Sequence, residues 1–464
     1  MIPEAPITFV TKRRQLNLFH SPEYESIPNR KKPDDASFRD PNFANNKTLP
    51  IHRWVPWIAG FSSEFVKSAI HDYLGKEGTV LDPFAGVGTT LVDAVLSGHH
   101  AVGFEINHYA ALACRTKISA CLSHVALPEA YMQEFMYFAL DKADSGYIPK
   151  SVIPKGFKTR SHFYSPKVLR KVLIVQDYID QIPDCGVCDL FKLAFAATMV
   201  SYSNYSYEPS LGRRVSAGKD EIHDFPVAET MMDKLQDMAE DIAWIQTRAK
   251  NGQPDARVIN DSFFRHNDYL TPESVDLVVT SPPYLNNYHY NRNTRPQLYW
   301  LGMVQSPQDF KALEEANFGK YWQTVREQEY LDLAVTLPDT DLKETLQSLR
   351  ERNREKGIYG GNGWANYAAA YFNDCYRFSQ GLHAVLKKGG HALVVIGNSI
   401  LQGMMIHTDQ YFGKIAQTAG LELVEIAIPR ATRVGNSIIQ SGVRVAKAKD
   451  AQKLYEAVVV LRKK

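Results

Sequence analysis

The segment from Gly78 to Asn107 limits the fold more than any other part of the chain. It reads GTVLDPFAGVGTTLVDAVLSGHHAVGFEIN, which gives an apolar strand, a glycine-rich turn, a helix and a second strand. A strand–helix–strand unit of this kind places its two strands parallel in one sheet. Further strands are predicted in ARVIND, VDLVVTSPP, HALVVIGNS, ELVEIAIPR and EAVVVLRKK, with helical segments between most of them. This alternation predicts an α/β fold built on a doubly wound, largely parallel sheet.

The α/β pattern does not run through the whole chain of 464 residues. Residues 1–50 are predicted to form an irregular N-terminal arm, because they contain many prolines and two short basic clusters. Residues 51–124 and 256–464 carry the strand–helix alternation and are expected to form one domain. Residues 125–255 have apolar positions at helical spacing and a polar loop, SYSNYSYEPSLGRRVSAGKDE. We therefore predict a helical insertion within the α/β domain.

The composition excludes several classes of protein. The chain is 44% hydrophobic and 22% charged, as is common for globular proteins. Its net charge of +2 means that any surface for nucleic acid must be local. The odd number of cysteines, the lack of a signal-peptide pattern and the lack of a membrane-spanning apolar run predict a cytoplasmic protein without disulfides or membrane contact. The pair Cys185 and Cys188 has no second pair of ligands nearby, so no metal site is expected.

The glycine-rich turn has the features of a nucleotide-binding loop. Gly86 and Gly88 follow a strand and open a helix, which allows the backbone to approach a ligand closely. Glu105 ends the next strand, where a carboxylate can accept both hydroxyls of a ribose. The turn lacks the third glycine of the dinucleotide fingerprint, and so it suits an adenosine ligand without a pyrophosphate. Asp261, after a later strand, is a candidate acceptor for the adenine amine; the alternative is a plain turn aspartate.

A second turn ends the apolar strand DLVVT with Ser281, Pro282, Pro283 and Tyr284. Two adjacent prolines cannot extend a sheet ladder, because neither has a backbone donor. An amine on a nucleobase is a weak nucleophile, and acceptors for its hydrogens can localise its lone pair. The Ser281 hydroxyl and the rigid Pro282 carbonyl are candidates for these acceptors, and Tyr284 can stack on a base swung out of its duplex. The alternative is a strand end followed by a surface turn.

Together these motifs resemble those of the S-adenosylmethionine-dependent DNA amino-methyltransferases. DPFAGVGTT resembles their cofactor motif, FEIN their ribose-binding acid and TSPPY their catalytic motif, while WIAGFSSEFVKSAI resembles the element that holds the methionine end of the cofactor. The resemblance implies a Rossmann-like sheet of seven strands with an antiparallel last strand. The residues expected to contact S-adenosylmethionine are Phe61, Ser62, Asp82, Phe84, Gly86, Gly88, Thr89, Glu105, Ile106, Asp261 and Ser262. The residues expected to act in catalysis are Ser281, Pro282, Pro283 and Tyr284.

The resemblance leaves the methylated amine open. In this family a serine before Pro-Pro-Tyr favours the N4 amine of cytosine, whereas aspartate or asparagine there favours the N6 amine of adenine. Ser281 therefore indicates cytosine, with adenine as the alternative and an RNA or protein amine as a more distant one. A nucleic-acid-binding protein without activity is disfavoured, because a relic has no reason to keep the glycine turn and the catalytic turn together. The expected partner is DNA, with a restriction endonuclease encoded separately.

Two segments are candidates for recognising the DNA target. The helical insertion, residues 125–255, could contact DNA through its tyrosine-rich loop and its basic residues Lys155, Lys158, Arg160, Arg213 and Arg214. Residues 285–362 directly follow the catalytic turn and begin with polar side chains suited to base edges, with arginines for phosphates. The candidate residues for DNA contact are Asn286, Asn287, His289, Arg292, Arg213 and Arg214.

Overall fold

The structure is a computed structural model that describes residues 30–31, 46–57, 60, 62–207, 211–247, 254–285, 290–320, 322–431 and 454–464. Among these residues, no helix is both long and apolar enough to cross a bilayer.

The main sheet has eight strands among the described residues. They are β1 (Arg30–Lys31), β2 (Thr79–Asp82), β3 (His100–Phe104), β6 (Ala256–Ile259), β7 (Val275–Thr280), β8 (Leu386–Gly397), β11 (Glu422–Ala431) and β12 (Tyr455–Arg462). Two hairpins lie outside the sheet: β4 (Tyr205–Tyr207) with β5 (Leu211–Arg213), and β9 (Ser399–Leu401) with β10 (Met404–Ile406).

The order across the sheet is β1-β11-β12-β8-β7-β2-β3-β6. Strands β8, β7, β2, β3 and β6 run parallel to one another. Strand β12 runs antiparallel to both β8 and β11. The predicted Rossmann-like sheet with an antiparallel last strand is therefore confirmed. It carries one addition, because Arg30–Lys31 of the predicted irregular arm pairs in parallel with the edge strand β11.

Helices cover both faces of the sheet. Before and within the insertion they are α1 (Ser63–Tyr73), α2 (Thr89–Leu96), α3 (His108–Cys121), α4 (Glu129–Asp144), α5 (Pro166–Ile179), α6 (Cys185–Thr198) and α7 (Val227–Gln246). After the catalytic turn they are α8 (Tyr290–Asn293), α9 (Arg295–Trp300), α10 (Pro307–Glu315), α11 (Trp322–Val325), α12 (Leu342–Arg350), α13 (Gly361–Val385) and α14 (Thr408–Thr418). Helix α13 ends at Val385, where the chain enters β8 at Leu386.

The two faces of the sheet bury separate apolar clusters. One cluster joins α1 to α3 with the insertion helices and includes Leu91, Phe135 and Phe191. The other joins α13 and α14 to the opposite face and includes Phe372 and Phe412. The insertion therefore shares one apolar core with the cofactor half of the predicted domain. Burial of large apolar side chains in this core stabilises the contact between them.

A buried carboxylate attaches the insertion to the start of the domain. Asp241 on α7 accepts the backbone N–H of Ile51 at 2.8 Å and the indole N–H of Trp54 at 2.9 Å. The guanidinium of Arg53 completes the contact at 2.9 Å. These bonds fix residues 51–57, which lead into the wall of the cavity described next.

Candidate active site

A cavity that is open to solvent lies at the carboxyl ends of β2, β3, β6 and β7. Ligands of open α/β sheets bind at this edge. The predicted site residues that line it are Phe84, Gly86, Thr89, Glu105, Ile106, Asp261, Ser262, Ser281 and Pro283. The structure therefore brings the glycine turn, the acidic strand end and the catalytic turn together around one space.

The carboxylate of Glu105 holds the glycine turn in place. It accepts the backbone N–H of Gly86 at 2.8 Å and that of Asn107 at 2.7 Å. Gly86 has a φ of +51°, and a Cβ there would meet only Trp57, at 3.5 Å. Burial raises the pKa of Glu105 to about 7, because a low-dielectric site disfavours the charged form. The carboxylate keeps lone pairs free for further donors, which is the requirement for a ribose-binding acid.

Gly88 has a packing role in the glycine turn. Its φ is +87°, and an added Cβ would lie 2.7 Å from the Sγ of Cys114 on α3. It is not among the residues that line the cavity. The second glycine of the turn therefore allows α2 and α3 to approach each other, and its contact with the cofactor stays a prediction.

Asp82 joins the glycine turn to the catalytic strand. Its carboxylate accepts the hydroxyl of Thr280 at 2.6 Å and the backbone N–H of Phe84 at 3.0 Å. Burial raises the pKa of Asp82 to about 6, an effect that these hydrogen bonds partly oppose. Asp82 is fully buried and is not among the residues that line the cavity. Its hydrogen bonds position the glycine turn, and its contact with the cofactor stays a prediction.

Asp261 reaches the cavity from the end of β6 and is itself held by neighbours. Its carboxylate accepts the hydroxyl of Tyr269 at 2.6 Å and pairs with the guanidinium of Arg265 at 2.9 Å. The backbone N–H of Ser262 donates to its other oxygen at 2.7 Å. These contacts fix the carboxylate at the cavity wall, where the sequence predicts an acceptor for an adenine amine.

The catalytic turn presents Ser281 and Pro283 to the cavity. The carbonyl of Pro283 already accepts the hydroxyl of Tyr371 at 3.0 Å. For the carbonyl of Pro282, no hydrogen bond is recorded within the described part of the chain. Pro282 is buried and is not among the residues that line the cavity, so its carbonyl as an acceptor for the substrate amine stays a prediction.

Tyr284, which the sequence predicts to stack on a flipped base, packs against the sheet in this structure. Its ring is half-buried and packs against Gly397, where an added Cβ would lie 2.9 Å from the ring carbons. Its hydroxyl donates to Glu456 on β12 at 3.2 Å, and it is not among the residues lining the cavity. Burial raises the pKa of Tyr284 well above its ordinary value. The tyrosine thus anchors the turn to the antiparallel strand, and a role in base stacking stays a prediction.

Aromatic residues that the motifs did not indicate form much of the wall. Trp57 stacks on Tyr290, with ring centroids 5.8 Å apart. Phe264 stacks on Phe318, with centroids 6.0 Å apart, and all four rings line the cavity. They come from segments far apart in the chain, which explains why no local pattern signalled them. Flat apolar walls of this kind suit the faces of planar heterocycles.

A buried amide network fastens the segment after the catalytic turn to the cofactor side. The side-chain N–H groups of Asn107 donate to Asn291 at 2.9 Å and to the Thr294 hydroxyl at 2.8 Å. Asn291 donates in turn to the carbonyl of Leu313 at 3.2 Å. This network places α8 and the end of α10 as a cover over the cavity.

Several predicted residues are not among those that line the cavity. Phe61, Asn286, Asn287 and His289 lie outside the described residues. Ser62 is buried and caps α1 by accepting the N–H of Phe65 at 3.1 Å, while Gly60 lines the cavity nearby.

Of the predicted DNA-contacting arginines, Arg213 is exposed. Arg292 pairs with Glu314 at 2.8 Å, and Arg214 donates to the carbonyl of Asp220 at 2.9 Å.

The two rival recognition segments touch each other. Tyr207 of the hairpin in the insertion donates to the carbonyl of Asn293 at 3.0 Å. The side-chain oxygen of Asn293 accepts the backbone N–H of Leu211 at 3.2 Å. The hairpin and the segment after the catalytic turn therefore form one continuous wall beside the cavity.

The chain is similar to known methyltransferases. The family model described as DNA methylase, of the N6 and N4 type, matches residues 16–114. Over 458 residues the chain is 23% identical to the type II methyltransferase M.BsoBI of Geobacillus stearothermophilus, covering 86% of this chain and 84% of that protein. Over 455 residues it is 25% identical to the type II methyltransferase M.AvaI of Nostoc sp., covering 91% of this chain and 88% of that protein. Among solved structures, TrmN from Thermus thermophilus matches with a TM-score of 0.27 and 10% identity, covering 87% of this chain and 49% of that chain.

We expect Gly88→Ala to destabilise the protein more than Gly98→Ala does. Both glycines have nearly the same φ, +87° and +88°, but a Cβ at Gly98 meets nothing within 4 Å. Gly98→Ala should cost about 1–2 kcal/mol in the free energy of unfolding, the strain of the left-handed conformation. Gly88→Ala should cost about 1–3 kcal/mol more, because it overlaps Cys114. Urea unfolding of both variants measures the difference; equal losses would contradict the packing role of Gly88.

Proposed function

We propose that the chain is a DNA amino-methyltransferase of the N6 and N4 type, which uses S-adenosylmethionine, and that it methylates the N4 amine of cytosine in DNA. We propose further that it acts as the modification enzyme of a restriction system whose endonuclease is encoded separately. The choice of substrate rests on one observation: Ser281 lines the same cavity as the predicted cofactor residues Glu105 and Asp261.

The residues around the cavity fit S-adenosylmethionine. The Glu105 carboxylate suits the ribose hydroxyls, Asp261 suits the adenine amine, and the rings of Trp57 and Phe264 suit flat apolar contact. The backbone at Gly86 leaves open space for close approach. When bound, this cofactor supplies a methyl group on a positively charged sulfur.

The catalytic turn supplies acceptors for the amine of the target base. The Ser281 hydroxyl can accept one amine hydrogen and the Pro282 carbonyl the other, which localises the nitrogen lone pair. The prolines fix the backbone dihedrals around these acceptors, and the bonds from Tyr371 to Pro283 and from Tyr284 to Glu456 restrain the turn further. Acceptors held in place before the reaction need no reorganisation during it.

Ser281 also favours cytosine over adenine. In the family that these motifs resemble, a serine before Pro-Pro-Tyr favours methylation of cytosine N4, whereas aspartate or asparagine there favours adenine N6. A base inside a duplex cannot reach this cavity, and we propose that the target base is flipped out of the helix before the transfer.

We propose that the β4–β5 hairpin and helices α8 and α9, which contact each other beside the cavity, form the target-recognition surface. Arg213 is exposed at the end of β5, two residues after Leu211, whose backbone N–H donates to Asn293. An exposed arginine at that position can contact a phosphate or a base edge.

Cofactor affinity should rise with pH as Glu105 ionises. The pKa of this carboxyl is about 7 in the folded protein, and the ionised form is the stronger acceptor for ribose hydroxyls. We expect the affinity to rise by up to about tenfold per pH unit below about pH 7 and to level off above it.

Isothermal titration with S-adenosylhomocysteine across this range measures the effect. Glu105→Gln is the matched control, since it removes the titrating group while leaving any titration of the ligand itself. A wild-type pH profile that coincides with that of Glu105→Gln would contradict the assignment.

Ser281→Ala should retain cofactor affinity and lose methyl transfer. Removal of one preorganised acceptor should lower kcat by about 10²–10³-fold. Incorporation of label from isotopically labelled S-adenosylmethionine into DNA measures the rate. The conservative variant Ser281→Thr, which keeps the hydroxyl, should recover part of the activity. A Ser281→Ala rate equal to that of the wild type would exclude Ser281 as an acceptor.

A further inference from the structure

Residues 145–160 form an extended segment on the insertion, outside the cavity, which we call the strap. We propose that the strap is a second docking surface for the DNA duplex, in which apolar side chains enter the minor groove between basic residues. The proposal builds on the proposed function, because it takes DNA to be the substrate. Its support comes from the strap's rigidity, its exposed side chains, its charge and its connection to the cavity cover.

The strap is rigid although it has no regular secondary structure. The buried carboxylate of Asp177 accepts the Tyr147 hydroxyl at 2.8 Å and the backbone N–H groups of Lys150 and Ser151 at 2.8 Å and 2.6 Å. From α5, Arg170 donates to the carbonyl of Ser145 at 2.8 Å and to that of Tyr147 at 3.1 Å. A surface held in this way loses little conformational entropy when it binds.

The strap exposes large apolar side chains. Ile148 is 84% exposed, Val152 is 76% exposed and Ile153 is 50% exposed. On the neighbouring helix α4, Tyr137 is 75% exposed. Solvated apolar side chains that are clustered on a rigid backbone mark an interaction surface.

The positive charge of the strap favours a negatively charged partner. It contains four basic residues and no acidic residue: Lys150, Lys155, Lys158 and Arg160. All four are exposed, and within the described part of the chain none has a recorded ion pair. By contrast, Lys142 and Lys171 nearby pair with Asp141 and Asp224.

The strap presents exposed apolar side chains together with basic side chains. This combination suits duplex DNA, which has negatively charged phosphates on both sides of a groove. Proteins that bind the DNA minor groove insert isoleucine, leucine or proline side chains between base steps while basic residues contact phosphates. The strap has this composition, with Ile148 and Val152 flanking Lys150.

The carboxyl end of the strap is attached to the cover of the cavity. Arg295 at the start of α9 donates to the carbonyl of Lys158 at 2.9 Å, and its guanidinium lies 5.5 Å from the ring of Phe157. Arg295 follows Thr294, which accepts from Asn107 at the cofactor side. A duplex that delivers a base to the cavity can therefore continue onto the strap.

The test measures the salt dependence of DNA binding. We would titrate full-length protein, in the presence of S-adenosylhomocysteine, into a fluorescent duplex that the wild-type protein methylates, between about 50 and 200 mM salt. The double variant Lys150→Ala with Lys155→Ala should lower the slope of log K against log salt by about 2 in magnitude, one for each lost phosphate contact. Ile148→Ser with Val152→Ser should weaken binding roughly tenfold without changing the slope.

The matched control is Lys76→Ala with Lys388→Ala. It removes the same charge from exposed positions at the opposite end of the sheet, near the start of β2 and of β8, and should leave the slope unchanged. Affinity for S-adenosylhomocysteine equal to that of the wild type shows that each variant is folded.

The outcomes separate the two proposals. Wild-type protein that neither binds nor methylates DNA would overturn the proposed function, and the strap proposal with it. Methylated DNA together with strap variants that bind like the wild type would overturn the strap proposal alone. Sedimentation that shows a wild-type dimer and a monomeric Ile148→Ser, Val152→Ser variant with unchanged DNA affinity would make the strap a contact between two copies, which also overturns it.

Discussion

The buried hydrogen bond between the Thr280 hydroxyl and the Asp82 carboxylate, at 2.6 Å, is the interaction on which the site depends. It joins residues that are 198 positions apart in the chain. Asp82 begins the glycine turn and Thr280 begins the catalytic turn, so this bond sets the distance between the two halves of the site. The hydroxyl of Thr90 at the start of α2 supports the same junction by donating to the carbonyl of Val279 at 3.2 Å.

This junction also explains why a long insertion can stand between the two motifs. Strands β2 and β7 are neighbours in the sheet, and therefore the chain between them can leave and return without moving either turn. The insertion is nevertheless part of the domain rather than an attachment. Asp241 fixes residues 51–57 near the cavity, and Tyr207 contacts Asn293 beside its cover.

Sequence reasoning predicted the parts of the site that depend on local motifs. The glycine turn, Glu105 and the Ser-Pro-Pro turn each have a pattern that can be read within a few residues, and parallel strands bring their carboxyl ends to one edge. Trp57, Asn291 and Phe318 have no such pattern, because their place in the wall depends on contacts between segments far apart in the chain. Gly88 and Tyr284 show the opposite case: each belongs to a motif, yet their neighbours, Cys114 and Gly397, give them packing contacts that the motif does not indicate.

The central claim is that the cavity transfers a methyl group to the N4 amine of cytosine in DNA. The most direct test is to incubate DNA with the protein and isotopically labelled S-adenosylmethionine, digest it to nucleosides and analyse their mass. The wild-type protein should place label in N4-methylcytosine, and the Ser281→Ala protein should place only a small fraction of that label in DNA. Label in N6-methyladenine would contradict the assignment of the base, and the absence of label from DNA would contradict the proposed function itself.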